Sequence, residues 1–173
     1  MRPEPQPPEI DQATLRREFR ALQDLHQPPL PALAWRLGWA GLLPFFLALG
    51  FWAWGLADAR PDLVGPAQNA FLFYSAVILS FLGGLRWGRV MSAGGLPSGY
   101  VLAVLPSLWA FPALFLPPLQ AVMALGIGFA LALWFDTRAD TLPATPGFRQ
   151  MRRRLSLVVI AAHLLALPLA WPS

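Results

Sequence analysis

One apolar stretch, residues 71–88, limits what this chain can fold into more than any other segment. It reads FLFYSAVILSFLGGLRWG, approaches the roughly 20 residues that a helix needs to cross a hydrocarbon core about 30 Å thick, and carries an arginine near its end. Small residues recur in it at four-residue steps, at Ala76, Ser80, Gly84 and Gly88. Residues with this spacing share one helix face, and their small size lets a second helix approach closely in lipid. The pattern predicts a membrane helix that packs through this row.

Composition extends the inference to the whole chain. Of its 173 residues, 56% are hydrophobic and 13% are charged, whereas ordinary soluble domains are about 45–50% apolar. The chain contains no cysteine, which excludes disulfides, thiolate metal sites and a cysteine nucleophile. The arginines are divided among apolar segments and form no continuous basic face with interleaved aromatic residues, so nucleic acid is not an expected partner. The expected fold class is all-α, a polytopic membrane protein.

The pattern divides the chain into three regions. Residues 1–9 are rich in proline and are expected to form a disordered tail. Residues 10–27 predict an amphipathic helix in the cytoplasm or at the interface, with Asp11 as its N-cap. Its apolar stripe consists of Ile10, Leu15, Phe19, Leu22 and Leu25. Such a helix lies on the membrane surface, packs on its own bundle or binds a partner. Residues 33–171 hold the transmembrane domain.

About five transmembrane helices are expected in this third region, from the length of its apolar segments. The predicted spans are Leu33–Ala57, Ala67–Trp87, Gly99–Phe115, Leu119–Phe135 and Leu155–Trp171. The third and fourth are short and meet at Pro117 and Pro118, which is typical of a tight helical hairpin. Pro106 and Pro112 lie inside the third span, so a continuous helix and a pair of half-helices both remain open.

The arginines predict the orientation of these spans. With five spans and a cytoplasmic N-terminus, all thirteen basic residues except Arg60 fall on the cytoplasmic side. This distribution predicts a bacterial cytoplasmic (inner) membrane protein whose C-terminus is periplasmic. The cluster Arg149, Arg152, Arg153 and Arg154 would anchor the last span and attract anionic lipid at ~1 kcal/mol per charge. Membrane lipids are therefore expected partners.

A longer motif gives a family resemblance. The run YSAVILSFLGGLRWG at residues 74–88 is followed by LPSL at residues 105–108 and by an arginine-rich segment before the last span. Together these resemble the transmembrane-protein-69-like family, a domain of unknown function in bacteria and mitochondria. The resemblance covers about residues 33–171 and implies about five membrane spans with no assigned reaction. The chain departs from the family pattern at residues 146–149, where PGFR replaces an expected aromatic pair.

His163 is the clearest candidate for intramembrane chemistry, because it lies halfway along the last span. Imidazole can donate and accept near neutral pH, so a proton relay, a quinone hydrogen bond or a metal ligand are conceivable roles. The structural alternative is a neutral histidine bonded to another helix, at the carbonyl of Ala40 or Leu102, which Pro44 or Pro106 would leave free. The structural role is favoured, because the mid-membrane sequence offers no further ionisable ligand.

Arg86 and Asp136 are expected to meet at the cytoplasmic end of the bundle. An aspartate at a helix C-terminus is opposed by the helix dipole and requires a basic partner such as Arg86, Arg138 or Arg149. An Arg86–Asp136 pair would lock two helix ends. The functional alternative is a polar pocket for an anionic headgroup or metabolite, formed by Arg86, Arg89 and Trp87.

No known catalytic or cofactor-binding motif is present, so no catalytic residue, cofactor or metal is expected and the chain is not expected to be an enzyme. The aspartate pairs at 58/62 and 136/140 have too few ligands for a metal site. The favoured function is an accessory, assembly or structural partner of a larger membrane complex, through another membrane protein or self-association. The alternative is a small-solute or ion permease, as a monomer or a dimer, that uses His163 and the Arg86 region.

Overall fold

The computed structural model describes residues 14–15, 18, 30–92, 96–138 and 147–171. Six helices lie within residues 30–171 of this part of the chain, and no described residue is β-strand. They are α1 (Ala32–Ala40), α2 (Leu43–Ala57), α3 (Pro61–Ser92), α4 (Pro97–Ala113), α5 (Pro118–Arg138) and α6 (Phe148–Ala166). The predicted all-α fold is confirmed.

Three helical segments are long and apolar enough to cross a membrane. They are Ala32–Ala57, which joins α1 and α2, then Pro61–Ser92 and Pro118–Thr137. Helices α4 and α6 have 17 and 19 residues, and α6 carries four arginines at its start. The count of five spans therefore stays a prediction.

The predicted N-terminal regions lie almost wholly outside the described residues. Of the amphipathic helix expected over residues 10–27, only Thr14, Leu15 and Glu18 are described, and these three are helical. The tail at residues 1–9 is not described. Both boundaries stay predictions.

The first predicted span corresponds to the candidate membrane segment Ala32–Ala57, and its helix is interrupted at Gly41 and Leu42. Pro44 has no N–H to donate to the carbonyl four residues earlier, so the hydrogen-bond ladder fails at this point. The Tyr74 hydroxyl of α3 donates to the Gly41 carbonyl at 2.8 Å. The junction is thus held by a neighbouring helix.

Proline marks the start of three helices, and two further prolines do not interrupt one of them, α4. Helices α3, α4 and α5 each begin at a proline, Pro61, Pro97 and Pro118, where the missing N–H has no intrahelical partner to lose. Helix α4 continues through Pro106 and Pro112. Of the two alternatives for the third span, the structure has the single helix.

The last helix begins earlier than predicted. Helix α6 starts at Phe148, so the arginine cluster at residues 149–154 forms its first turns and does not precede it. Gly147 lies just before with φ of 87°, a left-handed conformation that ends the helix on that side. Arginine is a good helix former, so the helical pattern extends past the apolar boundary at Leu155.

Helix α3 is the centre of the bundle and packs against α2, α4 and α5, while α6 packs against α5, α2 and α1. The largest fully buried side chains are Trp52, Phe45, Phe71 and Phe129. The Phe45 ring meets those of Phe71 and Phe129 edge to face, with centroids 5.8 and 6.3 Å apart. Large apolar side chains are also exposed on all six helices, as a surrounding hydrocarbon phase would favour.

Candidate functional site

Arg86 and Asp136, which the sequence predicted to pair, are in contact at one end of the bundle. The Arg86 Nη2 donates to Asp136 Oδ1 at 2.5 Å, and both residues are only 8% exposed. Arg152 of α6 donates from Nη2 to the other carboxylate oxygen at 2.8 Å. It also donates from Nη1 to the Ser156 hydroxyl at 2.9 Å. We call Arg86, Asp136 and Arg152 the charged cluster.

Each member is positioned by the buried face of its own helix. On α3, Leu72, Ala76, Leu79, Gly83 and Arg86 follow one another at three- and four-residue steps along the buried side. Asp136 lies in the last turn of α5, and Arg152 lies in the second turn of α6. The cluster therefore joins three helices at their ends.

A fourth helix contributes a carbonyl group. The Arg86 Nη1 lies 3.4 Å from the Leu102 carbonyl oxygen of α4. Pro106 has no N–H to donate to that oxygen, so the proline leaves an acceptor for the arginine. The Arg86 guanidinium also lies 6.0 Å from the centre of the Phe135 ring, within the range of a cation–π contact.

The charges of the cluster do not cancel. Two guanidinium groups and one carboxylate leave one positive charge among three residues that are each 8% exposed. Burial lowers the pKa of Arg152, and the neighbouring Asp136 acts in the opposite direction. Arginine nevertheless remains protonated in proteins, so the positive charge is permanent. Such a site can stabilise an anion or lock helices together.

Sequence reasoning missed Arg152 as a member of this cluster. It was expected to be part of a membrane-surface anchor, because the predicted span began at Leu155. Once α6 starts at Phe148, Arg152 falls on the same face as Ser156, Val159 and His163, which are all buried. Extending the helical spacing backwards from His163 would have found it.

The predicted packing row does not form one contact face within the chain. Ala76 is buried and Ser80 is half-buried, but Gly84 and Gly88 are exposed and have no atom within 4 Å of a built Cβ. The intramolecular contact belongs to Gly83, where a Cβ would lie on the Ala103 carbonyl oxygen of α4. Inside the bundle, Ala76 of the row is buried, and the close contact with α4 is made by Gly83 and not by Gly84. Contact of Gly84 and Gly88 with another molecule stays a prediction.

His163 is buried in the aromatic core. Its ring centroid is 4.9 Å from that of Phe71, 5.3 Å from Phe129 and 6.2 Å from Phe45. Its Nδ1 lies 2.9 Å from the Val159 carbonyl oxygen of the same helix. A carbonyl only accepts, so the proton is on Nδ1 and Nε2 is an acceptor without a partner among the described residues.

The expected partners of His163 were therefore wrong. The sequence predicted a hydrogen bond to the carbonyl of Ala40 or Leu102 on another helix, but the imidazole bonds within α6 and the Leu102 carbonyl is near Arg86. Gly126 of α5 leaves room for the ring, since a Cβ there would lie 3.2 Å from the His163 Cβ. His163 and the charged cluster are separate sites.

Two cavities lie beside Arg86 and His163, and a third, of about 340 Å³, includes Arg152 and Ser156 in its wall. One of about 290 Å³ lies between α4 and α5 and includes Arg86 in its wall. The other, of about 280 Å³, lies between α5 and α6 and includes His163 among otherwise apolar residues. Within the described ranges, no three histidine, aspartate or glutamate side chains are close enough to hold a metal ion. Asp140, the second member of one aspartate pair, lies outside those ranges.

Comparison with known proteins supports the family resemblance. The family described as "Protein of unknown function (DUF3429)" matches residues 30–168. Transmembrane protein 69 from Xenopus tropicalis is 34% identical over 153 residues, which cover 84% of this chain and 56% of that protein. The chain thus spans about half the length of this curated relative. No solved structure matches the chain. The chain belongs to the DUF3429 family of membrane proteins of unknown function, which resembles transmembrane protein 69.

Proposed function

We propose that this protein is an accessory, assembly or structural subunit of a larger membrane complex. The observation that carries this proposal is the outward face of α3, the longest helix of the described residues. Ser80, Gly84 and Gly88 lie along this face, and the space beside both glycines is empty. Because Gly83 already provides the close contact with α4, these residues remain available for another helix.

The residues around the row suit a helix–helix contact in lipid. Val77, Phe81 and Leu85 are exposed beside it and are apolar. Bulky side chains next to glycines form a ridge and a groove, into which a second helix can pack. The contact would be driven by close van der Waals packing. The hydrophobic effect does not drive it, because lipid chains are as apolar as the side chains that they surround.

The interior supports a structural role more than a reaction. Arg86 and Arg152 both donate to Asp136, and Arg152 also donates to Ser156. Acid–base catalysis needs a positioned group whose proton can move near neutral pH, and permanently charged arginines do not supply one. We therefore propose that the chain is not an enzyme.

A permease is less well supported. The cavity beside His163 is lined otherwise by apolar side chains such as Met123, Ile127 and Leu164. A path for an ion or polar solute needs polar groups along its length, and these lining residues provide a single one.

The proposed orientation has the arginine-rich end of the bundle in the cytoplasm of a bacterial cell. Arg86 and Arg152 meet at this end, and the Arg154 guanidinium lies 6.0 Å from the centre of the Trp35 ring. Arg60 lies between α2 and α3, where it pairs with Asp62. Basic residues near span ends favour the cytoplasmic side.

Gly84→Leu tests the partner role. The tagged chain is purified from its native membranes and the co-purified proteins are quantified by mass spectrometry. We expect the leucine to lower the amount of bound partner by about tenfold or more, because bulk inserted into a close helix contact costs on the order of 1–3 kcal/mol.

Gly50→Leu is the matched control. Gly50 of α2 is exposed and also has no atom within 4 Å of a built Cβ, so its replacement leaves the bundle intact and lies away from α3. Equal loss of the partner in both variants, or a wild-type chain that recovers neither another membrane protein nor a second copy of itself, would refute the proposal.

A further inference from the structure

The cavity between α4 and α5 has one charged side chain in its wall and is otherwise lined by apolar or aromatic ones. Arg86 lies with Leu102 and Phe135 at the end where α4 begins and α5 ends. Leu105, Trp109 and Leu131 continue the wall along the two helices. At about 290 Å³, the cavity is at the lower limit of the roughly 300–1,000 Å³ typical of small-molecule sites.

The shape of the cavity follows the helix axes. Leu102 and Trp109 are seven residues apart on α4, a distance of about 10 Å along a helix. The wall is therefore elongated, with an arginine at one end and hydrocarbon along the rest. Leu105 and Leu131 are 46% and 43% exposed, so the cavity opens sideways, toward the side on which lipid chains would lie.

Arg86 is not fully satisfied by the protein. Its two Nη atoms contact Asp136 and Leu102, but its Nε has no hydrogen-bond partner among the described residues. An unpaired buried donor on a charged group is unfavourable, and the charged cluster carries one excess positive charge. An oxyanion beside Arg86 would supply a hydrogen-bond acceptor to the guanidinium and would neutralise the excess positive charge.

We propose that this cavity binds one alkyl chain that ends in an oxyanion and enters from the bilayer. The oxyanion contacts the Arg86 guanidinium, and the chain lies along Leu105, Trp109 and Leu131. Two membrane compounds share this chemistry, a long-chain fatty acid and an anionic phospholipid that inserts one acyl chain. The site does not depend on the proposed role in a larger complex, because it lies between α4 and α5 and not along the outward row of α3.

Photolabelling tests the charge requirement. The full chain is purified in a maltoside detergent and exposed to a diazirine analogue of palmitic acid or to the same analogue with an alcohol end. Labelled peptides are mapped by mass spectrometry. We expect about tenfold more labelling of α4 and α5 by the acid, the effect of one charge-assisted hydrogen bond. Equal labelling by the acid and the alcohol would overturn the proposal.

Leu105→Trp tests the position of the chain, because the larger side chain fills the middle of the cavity. We expect labelling by the acid to fall to a small fraction of the wild-type value. Leu157→Trp is the matched control, since Leu157 is 49% exposed on α6 and lines none of the cavities described above. Unchanged labelling in Leu105→Trp, or an equal fall in both variants, would show that the probe binds elsewhere.

Competition separates the two sources of the oxyanion. Unlabelled palmitate and phosphatidylglycerol are added separately, and the compound that displaces the probe at the lower mole fraction is assigned as the occupant. Displacement by phosphatidylcholine equal to that by both anionic compounds would contradict the proposal, because that lipid carries no net charge.

Discussion

The charged cluster and His163 are both buried in this bundle but are held in opposite ways. In the charged cluster, Asp136 of α5 accepts from Arg86 of α3 and from Arg152 of α6, so three helices are joined by side chains. His163 instead bonds to the carbonyl of Val159 in its own helix, and its contacts with other helices, such as those with Phe71 and Phe129, are apolar. A polar residue in an apolar bundle can thus fix the position of helices or simply occupy volume.

The difference follows from what each residue requires. A buried carboxylate needs a cation, and a helix carries none on its backbone, so Asp136 must be reached from neighbouring helices. A neutral imidazole carries no charge, and the carbonyl of Val159 in its own helix accepts from its one N–H. Replacement of Asp136 should therefore destabilise the protein more than replacement of His163.

The largest effect is expected for Asp136→Asn. Loss of the carboxylate charge leaves Arg86 and Arg152 buried beside each other without a counter-charge, which should cost about 3–5 kcal/mol of unfolding free energy. The measurement is an SDS titration of the folded fraction in mixed micelles. Asp62→Asn is the control, because the Arg60–Asp62 pair is more than half exposed and such pairs contribute less than about 1 kcal/mol. Similar losses in both variants would end the distinction between the buried cluster and an ordinary surface pair.

Replacement of the whole cluster should recover most of that loss. In the triple variant Arg86→Met, Asp136→Leu and Arg152→Met, no charge remains unpaired, and buried ion pairs are often replaced by apolar residues at little cost. We expect about 2–4 kcal/mol of recovery relative to Asp136→Asn in the same titration. A triple variant less stable than the single one would mean that the cluster contributes net stability and not only helix position.

Ser156→Ala should have a smaller effect. The Ser156 hydroxyl accepts from Arg152 at 2.9 Å, and its removal leaves the stronger contact of Arg152 with Asp136 intact. We expect a loss of about 1 kcal/mol, typical of one hydrogen bond. Ser92→Ala is a control on an exposed serine that bonds only to its own helix, and it should leave the midpoint unchanged.

His163→Leu should have the smallest effect. Leucine fills a similar volume between the phenylalanine rings and removes an unpaired acceptor, so the change in unfolding free energy should stay within about 1 kcal/mol. A growth or flux defect at normal protein abundance would reverse the comparison and assign His163 a functional role.

The sequence could predict part of the charged cluster but not all of its contacts. The pairing of Arg86 with Asp136 could be predicted, because an acidic residue at a helix C-terminus requires a cation. Arg152 could be added only by extending the helical spacing of α6 back from His163, past the predicted start of the span at Leu155 and into a segment rich in arginine. The partner of His163 was missed because two prolines suggested free carbonyls on other helices, while its own helix already supplied one.

Apolar segments, small residues and arginines determined by themselves that this chain is an all-α membrane protein, because a hydrocarbon phase demands helices and penalises unpaired charge. The choice between Gly83 and Gly84 as the contact with α4 was decided only by the tertiary structure. Neighbouring glycines differ by about 100° around a helix, and which of them faces inward depends on the rotation that all the packed helices reach together.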